Sequence, residues 1–427
     1  MSNNLPNFNL LCYNVKDKIY KKTAIKDIRM KRKIGIVAEY NPFHNGHLYQ
    51  IEKIKEQYDV DLIAVVVSGD YVQRGEFSII DKWEKTSVAL QNGVDLVVEL
   101  PLYYSIQNAE IFSSQAVKIL EYLELDMQIF GAEEEEISQL EKVVHLQSTD
   151  EYKLKLKHNI KQGNDYNKAQ SLTLDEYGLS DIMKSNNILG LEYIRSKVDN
   201  NFNIEQKIIK REKVGYNESF KVENIASATY IRTLINKFEE SENNEIASLV
   251  PKETYEIVKF NGESKSHKDN KELLFQLFKY KFLTSEKNDI IGIYDVDDDI
   301  YNRIVKYLIK ENMSDDFFKN IESRNYSKRR IHRIFMNVLL EINSSTLNEC
   351  MKEENSYVRI LGFNEKGQRH IKKLQKDGKK IFVNWKDIEK SAVSEVEIEK
   401  IKIEKRGFLL KELIFSKKEQ LNPIIVK

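Results

Sequence analysis

The sequence predicts an α/β fold: a doubly wound parallel sheet in the first half of the chain, followed by a mostly α-helical C-terminal domain. Three observations carry this. From residue 33 onward, short runs dense in Val and Ile alternate with amphipathic stretches, the pattern of βαβ units whose strands are buried on both faces. The punctuation agrees, with Gly93 where a helix should stop and Pro101 where a strand should end. After a polar stretch between about 236 and 270, the helical period dominates.

In order, "KIGIVAEY" (33–40) is a strand and "LYQIEKIKEQ" (48–57) a helix. "DLIAVVVSG" (61–69) and "SIIDKWEKTSVALQNG" (78–93) repeat the pair, as do "VDLVVELP" (94–101) and "NAEIFSSQAVKILEYL" (108–123). "MQIFGAE" (127–133) is a further strand. Residues 31–235 are read as one α/β domain and 236–427 as a second, mainly helical one. "KELLFQLFKYKFL", "IYNRIVKYLIKEN" and "RRIHRIFMNVLLEI" supply its helices, whereas "KKIFVNW" to "GFLLKELIF" is ambiguous. Residues 1–30 are lysine- and asparagine-rich without an amphipathic period, and are expected to be a disordered extension upstream of a second possible start at Met30.

Lys plus Arg and Asp plus Glu both number 67 in 427 residues. A balanced chain has no global attraction to nucleic acid or membrane, so any polyanion must be held by local clusters. The two cysteines, Cys12 and Cys350, are far apart, which argues against a disulfide framework and a zinc site and fits a reducing, cytoplasmic setting. No apolar run approaches membrane-span length, and no leader with an apolar core is evident. The acidic runs "EEEE" (133–136) and "DVDDD" (295–299) are expected to be solvated loops, and no metal site is expected.

The most informative stretch is "NPFHNGH" (41–47), at the turn from the first strand into the first helix. In an open parallel sheet, ligands bind beyond the carboxyl ends of the strands, where a helix N-terminus offers free N–H groups and partial positive charge. Gly46 would let backbone approach a ligand, and the imidazoles of His44 and His47 would add hydrogen bonds to phosphate oxygens. The spacing matches neither a P-loop nor a dinucleotide fingerprint, and points to attack at the α-phosphorus of a nucleotide. The alternative is a pair of ordinary cap or surface histidines. A second element, "NIASATYIR" (224–232), can start a helix carrying Ser227, Thr229 and Arg232 toward a triphosphate; a plain N-cap explains it equally. Neither element supplies a nucleophile or general base, which suits a reaction run by positioning and charge stabilisation.

"NPFHNGH" with "IASATYIR" resembles the HIGH-type nucleotidyltransferase superfamily, whose domains are Rossmann-like and which includes class I aminoacyl-tRNA synthetase cores. The flanking "VAEYNPFHNGHLYQI", "VVVSGDYVQRGEFSIIDKWEKTSVAL", "GVDLVVELP" and "SNNILGLEYI" resemble the bacterial tRNA(Met) cytidine acetate ligases, from about Lys33 to Arg232. "SRNYSKRRIHRIFMNVLL" and "YVRILGFNEKG" extend the match more loosely. The resemblance implies activation of acetate by ATP to acetyl-adenylate, with release of pyrophosphate. Transfer of the acetyl group to the wobble cytidine of elongator tRNA(Met) would follow, leaving AMP. It also implies ATP contacts at Val37, Ala38, Glu39, Tyr40, Asn41, Pro42, Phe43, His44, Asn45, Gly46, His47, Leu48, Tyr49 and Gln50, and at Gly131, Asn186 and Arg211. Mg2+ is expected to accompany ATP.

Each transfer has a physical counterpart. Gly131 lacks a side chain where a nucleotide can lie on the backbone, Asn186 (or the equally placed Asn187) can read a base or ribose edge, and Arg211 can clamp a phosphate unless it is a plain surface arginine. Arg74, in "QRGE", and Lys82 are candidates to orient acetate or pyrophosphate; a helix-start salt bridge is the competing reading. Glu212 and Lys213 depart from the basic or small residues expected there.

For RNA, "SRNYSKRRIHR" gathers Arg324, Lys328, Arg329, Arg330 and Arg333 with Tyr326 and His332, mixing phosphate partners with a stacking ring. A second basic run, "KGQRHIKKLQKDGKK", includes Lys366, Arg369, Lys372, Lys373, Lys376, Lys379 and Lys380; either run can instead be a solvated helix face. Two rival functions remain: a small-molecule adenylyltransferase of the coenzyme-biosynthesis type, and a non-catalytic RNA-binding protein on a nucleotidyltransferase fold. No protein partner is inferred.

Overall fold

Strand β2 (Val60–Ser68) is buried on both faces from Leu62 onward, and its alternation sorts the molecule into layers. Leu62, Ala64 and Val66 pack with Phe112, Ala116 and Leu120, while Ile63, Val65 and Val67 pack with Ile51, Ile54, Val88 and Ala89. Helix Ala109–Tyr122 therefore covers one face of the sheet, and helices Asn45–Gln57 and Lys82–Gln91 the other. The computed structural model describes residues 31–134, 136–182, 185–211, 224–237, 243–263, 267–323, 326–353 and 357–426. The extension expected at 1–30 and the atypical Glu212 and Lys213 lie outside the described residues.

Strands β1 (Arg32–Ala38), β2, β5 (Leu96–Leu100), β6 (Met127–Ala132) and β7 (Glu205–Lys210) run parallel in the order β5-β2-β1-β6-β7. The chain builds outward from β1 through β2 to β5, then returns to the other side of β1 for β6 and β7. The order thus reverses between β1 and β6, the switch point at which a doubly wound sheet opens a crevice beyond its carboxyl ends. After β2 a short antiparallel pair, β3 (Tyr71–Val72) and β4 (Glu76–Phe77), stands apart from the main sheet.

The sheet crosses the boundary expected near residue 235. Strand β8 (Val358–Phe363) pairs antiparallel with β5, and β9 (Ile381–Phe382) and β10 (Ile424–Ile425) pair parallel with β8. The sheet is therefore mixed, with a parallel centre and one edge supplied by the last seventy residues, and the stretch that sequence left ambiguous resolves into strand and helix. Between 243 and 353 the described chain is mainly helical, its core filled by Phe275, Phe278, Phe282, Phe317 and Phe335. No described helix is long and apolar enough to cross a membrane.

Candidate active site

The loop after β1 turns sharply, with Tyr40 at φ +46° and a cis Asn41–Pro42 bond, and delivers His44 to the N-cap of helix Asn45–Gln57. His44 Nδ1 accepts from Gly46 N at 3.1 Å, and His47 Nδ1 accepts from His44 N at 3.2 Å. The two histidines thus form a reciprocal capping box, the arrangement usually made by Ser or Thr with Glu. Their rings stack with centroids 3.8 Å apart. Because each Nδ1 accepts, a neutral ring carries its proton on Nε2, and that N–H is the donor left for a ligand. Burial, then the nearby Arg211 and Arg232, push the His44 pKa down to about 3. Burial, then His44 and Arg211, hold His47 well below its ordinary value. Both imidazoles are neutral donors at physiological pH, and the positive charge of the site belongs to arginines.

Three arginines converge there. Arg211 follows β7, anchored by its N–H to Ala132 O at 2.8 Å, and its side chain crosses Gly131 so closely that a Cβ on Gly131 would stand 2.7 Å from Nε. Arg232, on helix Ala228–Lys237, donates through Nη1 to Asn41 O at 2.9 Å and through Nη2 to Thr229 Oγ1 at 3.1 Å. Arg74, between β3 and β4, also donates to Thr229 Oγ1, at 3.1 Å. Thr229 therefore aligns two guanidiniums, one from its own helix and one 155 residues away in sequence. Ser227 acts as a cap, its Oγ accepting from Tyr230 N at 3.1 Å.

Much of the stretch 37–50 supports the histidines. Tyr40 and Phe43 are buried, and both rings lie against the His47 ring. Asn41 Oδ1 accepts from Ser78 Oγ at 3.1 Å and Ile79 N at 2.9 Å, and Pro42 is buried. Asn45 Nδ2 donates to Asn224 O at 2.8 Å and Ser248 O at 2.9 Å, which ties the first helix to the segment bearing Ser227. Gly46 is needed by the cap itself, since a Cβ there would lie 2.9 Å from the His44 ring. Gln50 Nε2 donates to Ile129 O on β6 at 3.1 Å. Glu39 Oε1 accepts from Gln73 N at 2.8 Å, joining the loop to the Arg74 hairpin. Val37, Ala38, Leu48 and Tyr49 are half-buried, and all four pack against the two cores.

Two expectations move. Lys82 is occupied by carboxylates rather than open to a ligand: it is 1% exposed, with Nζ 2.9 Å from Glu99 Oε1, 2.9 Å from Glu419 Oε1 and 3.8 Å from Asp70 Oδ2. Burial and Arg359 oppose its charge, but the three carboxylates outweigh them and keep it protonated. Asn187, the alternative to Asn186, is fully buried, accepting from Glu133 N at 3.0 Å and donating to Ile182 O at 3.0 Å. It braces the turn after β6; the Asn186 side chain lies outside the described residues.

The first basic run forms helix Lys328–Leu340, and Arg324 lies outside the described residues. Lys328 and Arg329 are exposed, whereas Arg330 makes a two-point ion pair with Asp295 and covers the Tyr326 ring at 4.9 Å. Tyr326 is therefore already stacked, and Arg333 is half-buried with its pKa lowered first by burial. The acidic run 295–299 is structured: Asp295 holds Arg330, and Asp297 caps the next helix and accepts from Tyr326 OH. The second basic run forms helix Glu365–Lys376, which begins where Phe363 pairs with Leu96, at the amino end of β5. It lies at the opposite end of the sheet from His44, and Lys373 and Lys379 are engaged by Glu124, Lys380 by Glu397. No group of three or more His, Cys, Asp or Glu side chains able to hold a metal occurs among the described residues.

A sheet with a parallel centre, a histidine-capped helix at its switch point and three arginines gathered beside it defines a nucleotide site of the nucleotidyltransferase class. In agreement, residues 30–420 match the model of the HIGH Nucleotidyl Transferase family. The tRNA(Met) cytidine acetate ligase of Fusobacterium nucleatum is 37% identical over 347 residues, covering 80% of this chain and 85% of that protein. That of Clostridium acetobutylicum is 37% identical over 360 residues, covering 80% and 87%. The crystal structure of Thermotoga maritima TmcAL bound with alpha-thio ATP superposes with a TM-score of 0.82 at 26% identity, covering 92% of this chain and 99% of that one. The chain belongs to the tRNA(Met) cytidine acetate ligase family.

Proposed function

We propose that this chain is an ATP-dependent ligase that acetylates the wobble cytidine of elongator tRNA(Met), giving N4-acetylcytidine, AMP and pyrophosphate, in the cytoplasm. The observation that carries the proposal is the pair of neutral imidazoles of His44 and His47 set among Arg74, Arg211 and Arg232, in a chain 37% identical to ligases of that name.

In the first step a carboxylate oxygen of acetate attacks the α-phosphorus of ATP, the bond to pyrophosphate breaks, and acetyl-adenylate forms. The Nε2–H groups of His44 and His47 donate to phosphate oxygens as charge grows on them, and Arg211 and Arg232 neutralise that charge. Thr229 holds Arg74 and Arg232 at the pyrophosphate or acetate side. Gly131, whose missing side chain leaves room for Arg211 to lie against the strand, and Asn186 are assigned to the nucleoside by resemblance. In the second step the cytidine N4 amine attacks the acetyl carbon, the C–O bond to AMP breaks, and nitrogen loses a proton. With neutral imidazoles and no nucleophilic side chain in these roles, positioning supplies most of the rate.

Mg2+ arriving with ATP would neutralise charge on the pyrophosphate; lacking a dedicated cluster among the described residues, it would be held by phosphate oxygens and water, as Mg2+ often is. For the tRNA, Lys328 and Arg329 are the exposed phosphate partners, on a helix whose start is braced by the Arg330–Asp295 pair. A non-catalytic RNA-binding role is disfavoured by the intact His44, Gly46 and His47.

The test is to incubate the purified protein with labelled acetate, ATP and bulk tRNA, digest the RNA and identify labelled nucleosides by mass. Label in N4-acetylcytidine that requires ATP is the expected result. Unlabelled RNA, with pyrophosphate released only when small phosphate esters are supplied, would make the protein an adenylyltransferase instead.

A further inference from the structure

Lys85 is a buried cation that the sequence offers no reason to single out. It sits on helix Lys82–Gln91 with 0% exposure, and its ammonium reaches the carboxyl ends of the two central strands. Nζ donates to Glu39 O at 2.9 Å, Ser68 O at 3.0 Å and Gly69 O at 2.8 Å, which uses all three of its hydrogens on neutral carbonyls. A buried charge held without a direct carboxylate contact is costly to fold, and such groups concentrate at functional sites. Glu39 begins the loop that delivers His44, and Gly69 begins the turn into the hairpin that carries Arg74. We infer that Lys85 is a positioning residue of the ATP site, whose ammonium clamps the ends of β1 and β2 so that His44 and Arg74 stand at one spacing, and places a positive charge below the triphosphate. This rests on the ATP reading of the crevice.

The charge is adjustable. Burial pushes the Lys85 pKa down to about 8, against the opposing pull of Asp70, Glu39, Asp81 and Glu99. These come from the turn after β2, the loop after β1, the start of its own helix and β5; the neighbouring Lys82 is turned toward Glu99 and Glu419. As pH rises through about 8 the free protein loses this proton, and a neutral amine has two hydrogens for three carbonyls. A bound triphosphate favours the charged form and raises the pKa. The kcat/KM for ATP, which reports the free enzyme, should therefore show an alkaline limb at lower pH than kcat, which reports the complex.

The experiment measures acetylation kinetics and equilibrium ATP binding from pH 6.5 to 9.5 for the full-length protein, Lys85→Arg and Lys85→Met. The wild type should lose kcat/KM for ATP about tenfold per pH unit above the limb, as a single ionisation requires. Lys85→Arg, charged throughout, should lack the limb; Lys85→Met should bind ATP at least about tenfold more weakly at pH 7 than the wild type and show a flat profile. Because either variant can fail to fold, lysine 13Cε resonances of the wild type are followed by NMR in parallel. One should titrate near pH 8 and move upward when ATP is added. A flat kcat/KM profile to pH 9.5 while ATP still binds, or a Lys85 resonance that ignores ATP, overturns the role of Lys85 and leaves the ATP site standing. Failure of the wild type to bind ATP at any pH removes both.

Discussion

His44 and His47 cap one another: the Nδ1 of each accepts a backbone N–H within the same helical turn, and the rings stack at 3.8 Å. This relationship does two things. It satisfies the orphan N–H groups at the helix start, and it fixes both tautomers with Nε2–H outward. Capping through Nδ1 and the proposed phosphate contact through Nε2–H thus use the same rings but different atoms, and are separable by substitution.

His44→Asn keeps a good N-cap while deleting the imidazole. We expect kcat to fall by roughly 10² to 10³, as when one oxyanion donor is removed, with a stability change under about 1 kcal/mol. Single-turnover acetylation and thermal melting check the two halves separately. A variant with wild-type turnover would show that His44 is only a cap.

The same residue makes stability pH-dependent. Its pKa is about 3 in the folded chain against 6.5 ordinarily, so between those values the unfolded chain binds a proton that the folded chain does not. The His44 contribution is complete above pH 6.5 and is lost as pH falls toward 3. Urea melts at pH 7, 6, 5 and 4 should therefore show the wild type losing stability relative to His44→Asn as the solution is acidified. A constant difference would mean that folding leaves the His44 proton affinity unchanged.

Arg232→Lys keeps the charge but cannot bridge Asn41 O and Thr229 Oγ1 at once. The loss of one charge-assisted hydrogen bond, about 1.5 to 3 kcal/mol, should raise the Kd for ATP by roughly 10- to 100-fold. Titration calorimetry measures this directly.

The hairpin that carries Arg74 has little room. Gly75 adopts φ +72°, and a Cβ there would lie 2.5 Å from Arg333 N, on the backbone of helix Lys328–Leu340. Gly75→Ala should cost about 1 to 2 kcal/mol for the left-handed conformation alone, and more for the clash. The melting temperature should fall and ATP binding weaken, because Arg74 moves with the turn.

For RNA, exposure separates the arginines. Replacing Lys328 and Arg329 together by Ala should weaken tRNA binding and reduce the slope of log K against log salt by about 1.4 to 1.8, leaving ATP binding intact. Arg330→Ala removes the partner of Asp295 and should instead lower stability more than it changes the salt slope. Filter binding across a salt series distinguishes the two.

Four of the five parallel strands were legible as short apolar runs alternating with helical periods, whereas β7, with Lys207 and Lys210 in "EQKIIK", gave no such signal; "NPFHNGH" was legible because it falls at the first strand-to-helix turn. Arg74, Arg211 and Arg232 were also candidates, each standing near the end of a strand or the start of a helix. What sequence hid are charges that fold inward. Strand β8 reads "VRILGF" and is buried at all six positions because Arg359 finds Glu99 and Glu419, 260 and 60 residues away. Lys82 meets the same two carboxylates, and Lys85 finds only carbonyls. Such partners come from tertiary pairing, which no local spacing encodes. The Asp295–Arg330 pair likewise turned an acidic run that looked solvated into a support for a basic helix.

The central claim is that acetate attacks the α-phosphorus of ATP in a site built on His44 and His47. It is tested most directly by running the reaction with acetate carrying 18O in both carboxylate positions, ATP and tRNA, and weighing the products. AMP should carry one 18O and pyrophosphate none, since the attacking oxygen stays on phosphorus when the acetyl group leaves. AMP without label, or label in a phosphate derived from the γ position, would contradict it.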